Sequence, residues 1–185
     1  LFDMNITGGP EGTNWSHYKL MEPIVNPVME DPVKHLLGLN QKEFDHVVSG
    51  KYGVQKVAPG HYDLVDTHDN DKVLKTMRVS GALTKMAEER GETIVGGPAI
   101  KAMLSDINVQ EELKHLREAV GEEKSTLKRD KMVKRMKYLA GLDKQGFDDP
   151  SKAYVLHNMP VIPPVMRPYS ISGSRLSYAD VNELY

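Results

Sequence analysis

Lys124, Lys128, Arg129, Lys131, Lys134, Arg135 and Lys137 crowd into one short stretch whose only acid is Asp130. On a helix these cations take up most of the surface that Met132, Met136 and Leu139 leave over. Lysine and arginine at such spacing serve one chemistry, a sequence-independent attraction to phosphates. The same stretch also fits a solvated face balanced by the acids between Glu111 and Glu123. The residue pattern by itself leaves both readings open.

Other chemistries find less to work with. The chain has no cysteine, which excludes a disulfide scaffold, a thiol nucleophile, an iron–sulfur site and thiolate-bound zinc. Its seven histidines include no pair at the i, i+4 spacing of a zincin helix. Asp66, Asp69 and Asp71 imitate part of a calcium loop without its alternation, its central glycine or its final glutamate. Gly8-Gly9-Pro10 and Gly12 read as turns, because no Gly-Lys-Ser/Thr follows to cradle a phosphate. There is no Gly-x-Ser-x-Gly elbow, so the sequence specifies no independent catalytic centre.

The elements that must position the cations emerge from periodicity. Asp31-Pro32 predicts a helix start, Val33, Leu36 and Leu37 its apolar face, and Gly38 its end. Asn40 with Glu43 predicts a capping box for a second short helix. Trp15 to Met21 predicts a strand ended by Pro23, and residues 50 to 65 predict short strands or loop. Val73, Leu74, Met77, Leu83 and Met86 predict a helix from about Lys72 to Arg90, with a kink or close approach at Gly81. Ile100, Met103, Leu104 and Ile107 follow i, i+3, i+4, i+7. Asp106 or Asn108 caps the next helix, which carries Leu113, Leu116 and Val120 and stops at Gly121. A third helix spans Thr126 to Ala140, and its short connector implies an antiparallel helical hairpin.

Over 185 residues and 20.7 kDa, 24 Lys and Arg meet 26 Asp and Glu, a net charge of -2. One ordinary domain, or a small one with an appendage, is the expectation. No apolar run approaches spanning length, and Leu1-Phe2-Asp3-Met4-Asn5 lacks the basic region followed by an apolar one of a signal peptide, so membrane partners are not expected. The start at Leu1 is read as internal to a longer chain.

After Tyr154-Val155-Leu156, which reads as strand, the chain turns proline-rich. Pro160, Pro163, Pro164 and Pro168 make a stiff strut before a polar loop. Pro160-Val161-Ile162-Pro163-Pro164-Val165-Met166-Arg167-Pro168 resembles the P-V-(L/I)-P-P-x-x-R-P motif of the largest subunit, bacterial beta-prime, of multisubunit DNA-dependent RNA polymerases. Gly173-Ser174-Arg175 is similar to that family's G-G-R, and Asp180 to Tyr185 to its D-L-N-D-L-Y. Pro98 to Leu104 resembles A-E-A-I-x-x-L-L, and Glu111 to Glu118 and Lys131 to Lys137 resemble the next two helices in order. Ser16 to Leu20 with Pro23 is similar to G-H-I-x-L-x-x-P. The likeness runs from Ser16 to Tyr185 and is specific from Pro98 onward.

The resemblance implies a segment of the polymerase clamp, gripping DNA, with a lid that separates RNA from the RNA–DNA hybrid. The implied fold is α+β, mainly helical, with a helical hairpin, short strands, the strut and a projecting loop. Residues 1–97 would be loops, short strands and helices of the clamp region. Residues 98–145 would form its helical bundle, and 146–185 a strand, the strut, the lid and the start of the clamp coiled coil. Tyr169, Ile171, Ser172, Gly173, Ser174 and Leu176 would form the lid, poorly ordered without nucleic acid. Arg167, Arg175, Lys128, Lys131, Lys134 and Arg135 would contact nucleic acid.

Template DNA, transcript RNA, other polymerase subunits and an initiation factor are the implied partners, in the cytoplasm of a bacterial or phage-infected cell. No catalytic residue and no cofactor fall to this segment. Magnesium is expected for the whole polymerase, on aspartates outside this chain. The family's upstream cysteine zinc ribbon and its N-A-D-F-D-G-D triplet are absent, as in a fragment; Gly173-Ser174-Arg175 for G-G-R, Leu176 for an aromatic, and a lid about one residue short fit a divergent phage version. A free-standing viral helical module that binds a polymerase or nucleic acid without catalysis is the alternative.

Overall fold

The computed structural model describes residues 3–80 and 91–184. In chain order the elements are β1 (Ser16–Val25), α1 (Glu30–Leu37), α2 (Gln41–Val48), β2 (Tyr52–Ala58), β3 (His61–Asp66) and β4 (Asp69–Arg78). There follow α3 (Gly96–Ser105), α4 (Val109–Glu122), α5 (Thr126–Lys144), α6 (Ser151–Tyr154), β5 (Val155–Val161), β6 (Tyr169–Ser172) and β7 (Arg175–Tyr178). The class is α+β. The strands form three sheets: β1 with β5, β2-β3-β4 as an antiparallel meander, and β6 with β7 as an antiparallel hairpin. The chain divides into two compact units, one of residues 1–21 with 157–185, the other of residues 22–156.

In the larger unit, end signals read from the sequence operate where expected. The Asn40 side chain accepts from the Glu43 N–H at 2.9 Å, and the Glu43 carboxylate accepts from the Asn40 N–H at 2.9 Å. Gly38 closes α1 in the left-handed region, φ 66°. Asn108, rather than Asp106, caps α4 by accepting from the Gln110 and Glu111 N–H groups.

Four boundaries move, the first being the end of β1, which passes Pro23 to reach Val25. The helix α1 opens at Glu30, because the 3₁₀ turn Pro27–Met29, capped by Asn26, feeds directly into it; Asp31 and Pro32 therefore lie in its first turn. The helix α4 passes Gly121 to end at Glu122, and α5 continues past Ala140 to Lys144. The extension of α5 buries Leu142 beside Leu139.

One prediction is overturned. Residues 72 to 78 belong to strand β4, not to a helix. The spacing of Val73, Leu74 and Met77 suits a short helix, but pairing of His61 with Arg78, Tyr62 with Met77 and Asp63 with Thr76 extends them as the third strand of the meander. Val79 and Ser80 follow outside any helix, and the rest of that predicted helix, from Gly81, lies outside the described residues.

The core of this unit is shared by the helices and the meander. Val33, Leu36, Phe44, Val47, Leu64, Ile100, Met103, Leu104, Ile107, Leu113, Leu116 and Leu139 are all buried. The helices α4 and α5 pack as the expected hairpin, with Leu113, Leu116 and Leu139 buried and Met132 and Met136 packed against them. A second tie joins meander to helix: Tyr62 donates to Asp106 at 2.8 Å, and Lys56 pairs with the same carboxylate at 2.7 Å.

Candidate nucleic-acid interface

In the smaller unit the polar stretch predicted as a loop is a regular β-hairpin. Its sequence alternates Tyr-Ser-Ile-Ser and Arg-Leu-Ser-Tyr around Gly173-Ser174. Gly173 has φ 63°, and among the described residues no non-glycine residue has a positive φ. Positive φ at the first central position alone is the type II′ pattern, whose twist suits two-residue hairpins. The pairs Tyr169–Tyr178, Ser170–Ser177, Ile171–Leu176 and Ser172–Arg175 follow.

Opposed residues of an antiparallel pair share a face. Tyr169, Ile171, Leu176 and Tyr178 therefore line one side; Ser170, Ser172, Arg175 and Ser177 line the other. Both sides are exposed, Ile171 at 68 % and Leu176 at 59 %. The apolar side thus offers flat and branched groups that can lie against bases, and Arg175 offers a cation on the reverse.

The base of the hairpin depends on Arg167, which is fully buried. Its Nε donates to the Ile162 carbonyl at 2.9 Å and its Nη1 to Asn182 Oδ1 at 3.0 Å. Ala179 N–H donates to the Pro168 carbonyl at 3.1 Å, drawing the two ends together. Expected as a contact to nucleic acid, Arg167 is instead enclosed, its side chain bonded to Ile162 and Asn182 within the fold.

The cations of α5, in the larger unit, sort into three environments. Lys128 and Lys131 are exposed. Lys134 pairs with Asp31 at 3.2 Å, and Tyr138 donates to the same carboxylate at 2.6 Å. Those bonds, Tyr138 first, hold the Asp31 carboxyl below its usual range, while Asp31 pushes the Tyr138 phenol up to about 12. Arg135 turns inward, donating to the Val79 carbonyl at 2.6 Å and pairing with buried Glu112 at 3.1 Å. Burial pushes its pKa down.

A signal for Arg135 exists in the sequence. It lies three after Met132 and four before Leu139, hence beside the apolar stripe rather than opposite it. Asn182, the partner of Arg167, carried no such signal.

Among the described residues no group of three or more His, Asp or Glu could hold a metal ion, and no helix is long and apolar enough to cross a membrane.

Comparison with known proteins adds a family likeness. The chain is similar to the DNA-directed RNA polymerase subunit beta' of Chlamydia pneumoniae, 27% identical over 175 residues, which cover 92% of this chain and 12% of that protein. The same subunit of Salinibacter ruber is 26% identical over 185 residues, 91% of this chain and 13% of that protein. That of Chromohalobacter salexigens is 36% identical over 92 residues, 49% of this chain and 6% of the relative. No family model matches. The chain therefore resembles beta' subunits along most of its length, and it spans 13% or less of the length of these relatives.

Proposed function

We propose that this chain is a beta'-type segment of a DNA-directed RNA polymerase and supplies clamp and lid elements during transcription. The observation that carries the reading is the β6–β7 hairpin. It follows the proline motif directly, and it exposes Tyr169, Ile171, Leu176 and Tyr178 on one face. Exposed aromatic and branched side chains on a rigid base suit a part that inserts against the end of a nucleic-acid hybrid.

Lys128, Lys131, Lys134 and Arg175 form the proposed contact set for nucleic acid. Arg135 and Arg167 serve that set indirectly, since their guanidinium groups are already engaged inside the fold. Phosphoryl transfer, and the magnesium it requires, belong to other parts of the polymerase. Other subunits, template DNA and transcript RNA are the proposed partners.

The test is deletion of residues 171–176 in the assembled polymerase. Nucleotide addition should persist, while RNA made on a single-stranded template should remain hybridised to it. Normal displacement of RNA by the deletion mutant would overturn the lid assignment.

A further inference from the structure

The larger unit holds a cleft of about 700 Å³ with walls from α1, β4, α4 and α5. That volume falls in the range of small-molecule sites, roughly 300–1,000 Å³. Lys34, Lys75, Arg78, Lys128, Lys131 and Arg135 all line it, against two acids among the described residues, Glu43 and Glu112. Both acids are already engaged, Glu43 by Lys75 at 2.9 Å and Glu112 by Arg135 at 3.1 Å. Among the described lining residues positive charge is in surplus.

Two details show that the surplus is not satisfied internally. Lys128 and Lys131 are exposed and bond to no described residue. Arg135 is more telling: two of its contacts are made, but its Nε is buried with no acceptor. A buried donor without a partner is costly, and native structures contain few. Burial, and to a smaller degree the like charge of Arg78, also push the Arg135 pKa down against the pull of Glu112. An anion in the cleft would offset the second penalty by adding negative charge beside this guanidinium. Beside these cations, Leu39, Leu116 and Met132 give the cleft an apolar wall.

We propose that this cleft binds a small phosphorylated ligand of about nucleotide size. Its phosphate oxygens pair with Lys128 and Lys131, beside the Arg135 guanidinium, and its uncharged part lies against Leu116 and Met132. Phosphate suits this donor set because guanidinium and ammonium groups form short charge-assisted bonds to it. The inference does not depend on a role in transcription.

The experiment titrates the 185-residue chain at constant ionic strength, by calorimetry, with pyrophosphate, a nucleoside diphosphate, the matching nucleoside and a short DNA duplex. Pyrophosphate and the diphosphate should bind and compete with each other, the diphosphate more tightly, while the nucleoside alone should not bind. Lys128→Glu and Lys131→Glu, both at exposed positions, should each weaken pyrophosphate binding about tenfold with no change in melting temperature. Absence of pyrophosphate binding at millimolar concentration, or binding indifferent to both substitutions, would overturn the proposal. Duplex binding that both substitutions abolish but pyrophosphate cannot displace would also overturn it, assigning the lysines to a nucleic-acid surface. These outcomes decide between a small ligand and nucleic acid at Lys128 and Lys131, and leave transcript separation by the hairpin to its own deletion test.

Discussion

Arg167 and Asn182 hold each other reciprocally: Nη1 of the arginine donates to the amide oxygen at 3.0 Å, and the amide nitrogen donates back to the Arg167 carbonyl at 3.1 Å. The bond pair closes the base of the β6–β7 hairpin from both sides. Asn182→Ala would leave a buried guanidinium short of an acceptor, at a cost of about 1–3 kcal/mol. Amide exchange across Ser170 and Ser177 should quicken accordingly. Arg167→Lys should not restore the wild-type rate, because one ammonium cannot reproduce the planar fork toward Ile162 and Asn182. Unchanged exchange in Asn182→Ala would show that the base is held elsewhere.

The buried pair Arg135–Glu112 separates two roles that the cationic stretch could play. Arg135→Met removes the partner of a carboxylate that is 5 % exposed, and breaking such a pair costs about 3–5 kcal/mol. Chemical denaturation should register that loss. The salt dependence of duplex binding should be left alone by Arg135→Met but flattened by Lys131→Glu. A flattened salt slope with unaltered stability in Arg135→Met would return that arginine to the surface.

Asp106 links stability to pH. Burial opposes its ionisation, but the bonds from Lys56, Gly60 and Tyr62 together hold its carboxyl below the ordinary value of 3.8. A folded pKa lower than the unfolded one stabilises the fold above the unfolded value, and that contribution fades as pH falls through the folded one. The urea midpoint of the wild type should therefore exceed that of Asp106→Asn at neutral pH, and the gap should narrow below pH 3.8. A gap that stays constant through acid would mean the carboxylate charge contributes nothing.

Leu116 lies in the seam between α4 and α5, 5 % exposed. Leu116→Asp should cost about 3–5 kcal/mol by placing an unpaired charge among apolar neighbours. Thermal melting measures this directly, and an unshifted transition would mean the seam is packed by other residues.

The helical parts of this fold were legible because their signals are local. Ile100, Met103 and Leu104 lie on one face of α3 whatever packs against it, and Asn40 with Glu43 completes its own cap. The strand β4 was not legible, since Val73, Leu74 and Met77 fit a helix as well as a strand. What decides is the availability of β3 as a partner, a property of residues 61 to 66 rather than of the segment itself. The hairpin was readable in principle, from period-two alternation around Gly173-Ser174, but its serines and single arginine gave it the composition of a loop. Burial of Arg167 could not be read at all, because it depends on Asn182 arriving from fifteen positions downstream.

The pairing of β1 with β5 bears on the order in which the chain folds. Residues 22–156 form one continuous unit, whereas the other is assembled from residues 1–21 and 157–185. Near the two ends of the continuous unit, Asn26 N–H donates to the Tyr154 carbonyl at 2.9 Å, so its termini meet once it is folded. Before that moment, uniting the two outer segments means closing a loop the length of the whole intervening unit, with its full entropic cost. Afterwards that cost has already been met by the helices and the meander. The continuous unit therefore folds first, and hydrogen-exchange labelling during refolding should protect Leu104 and Leu116 before Ser170 and Ser177.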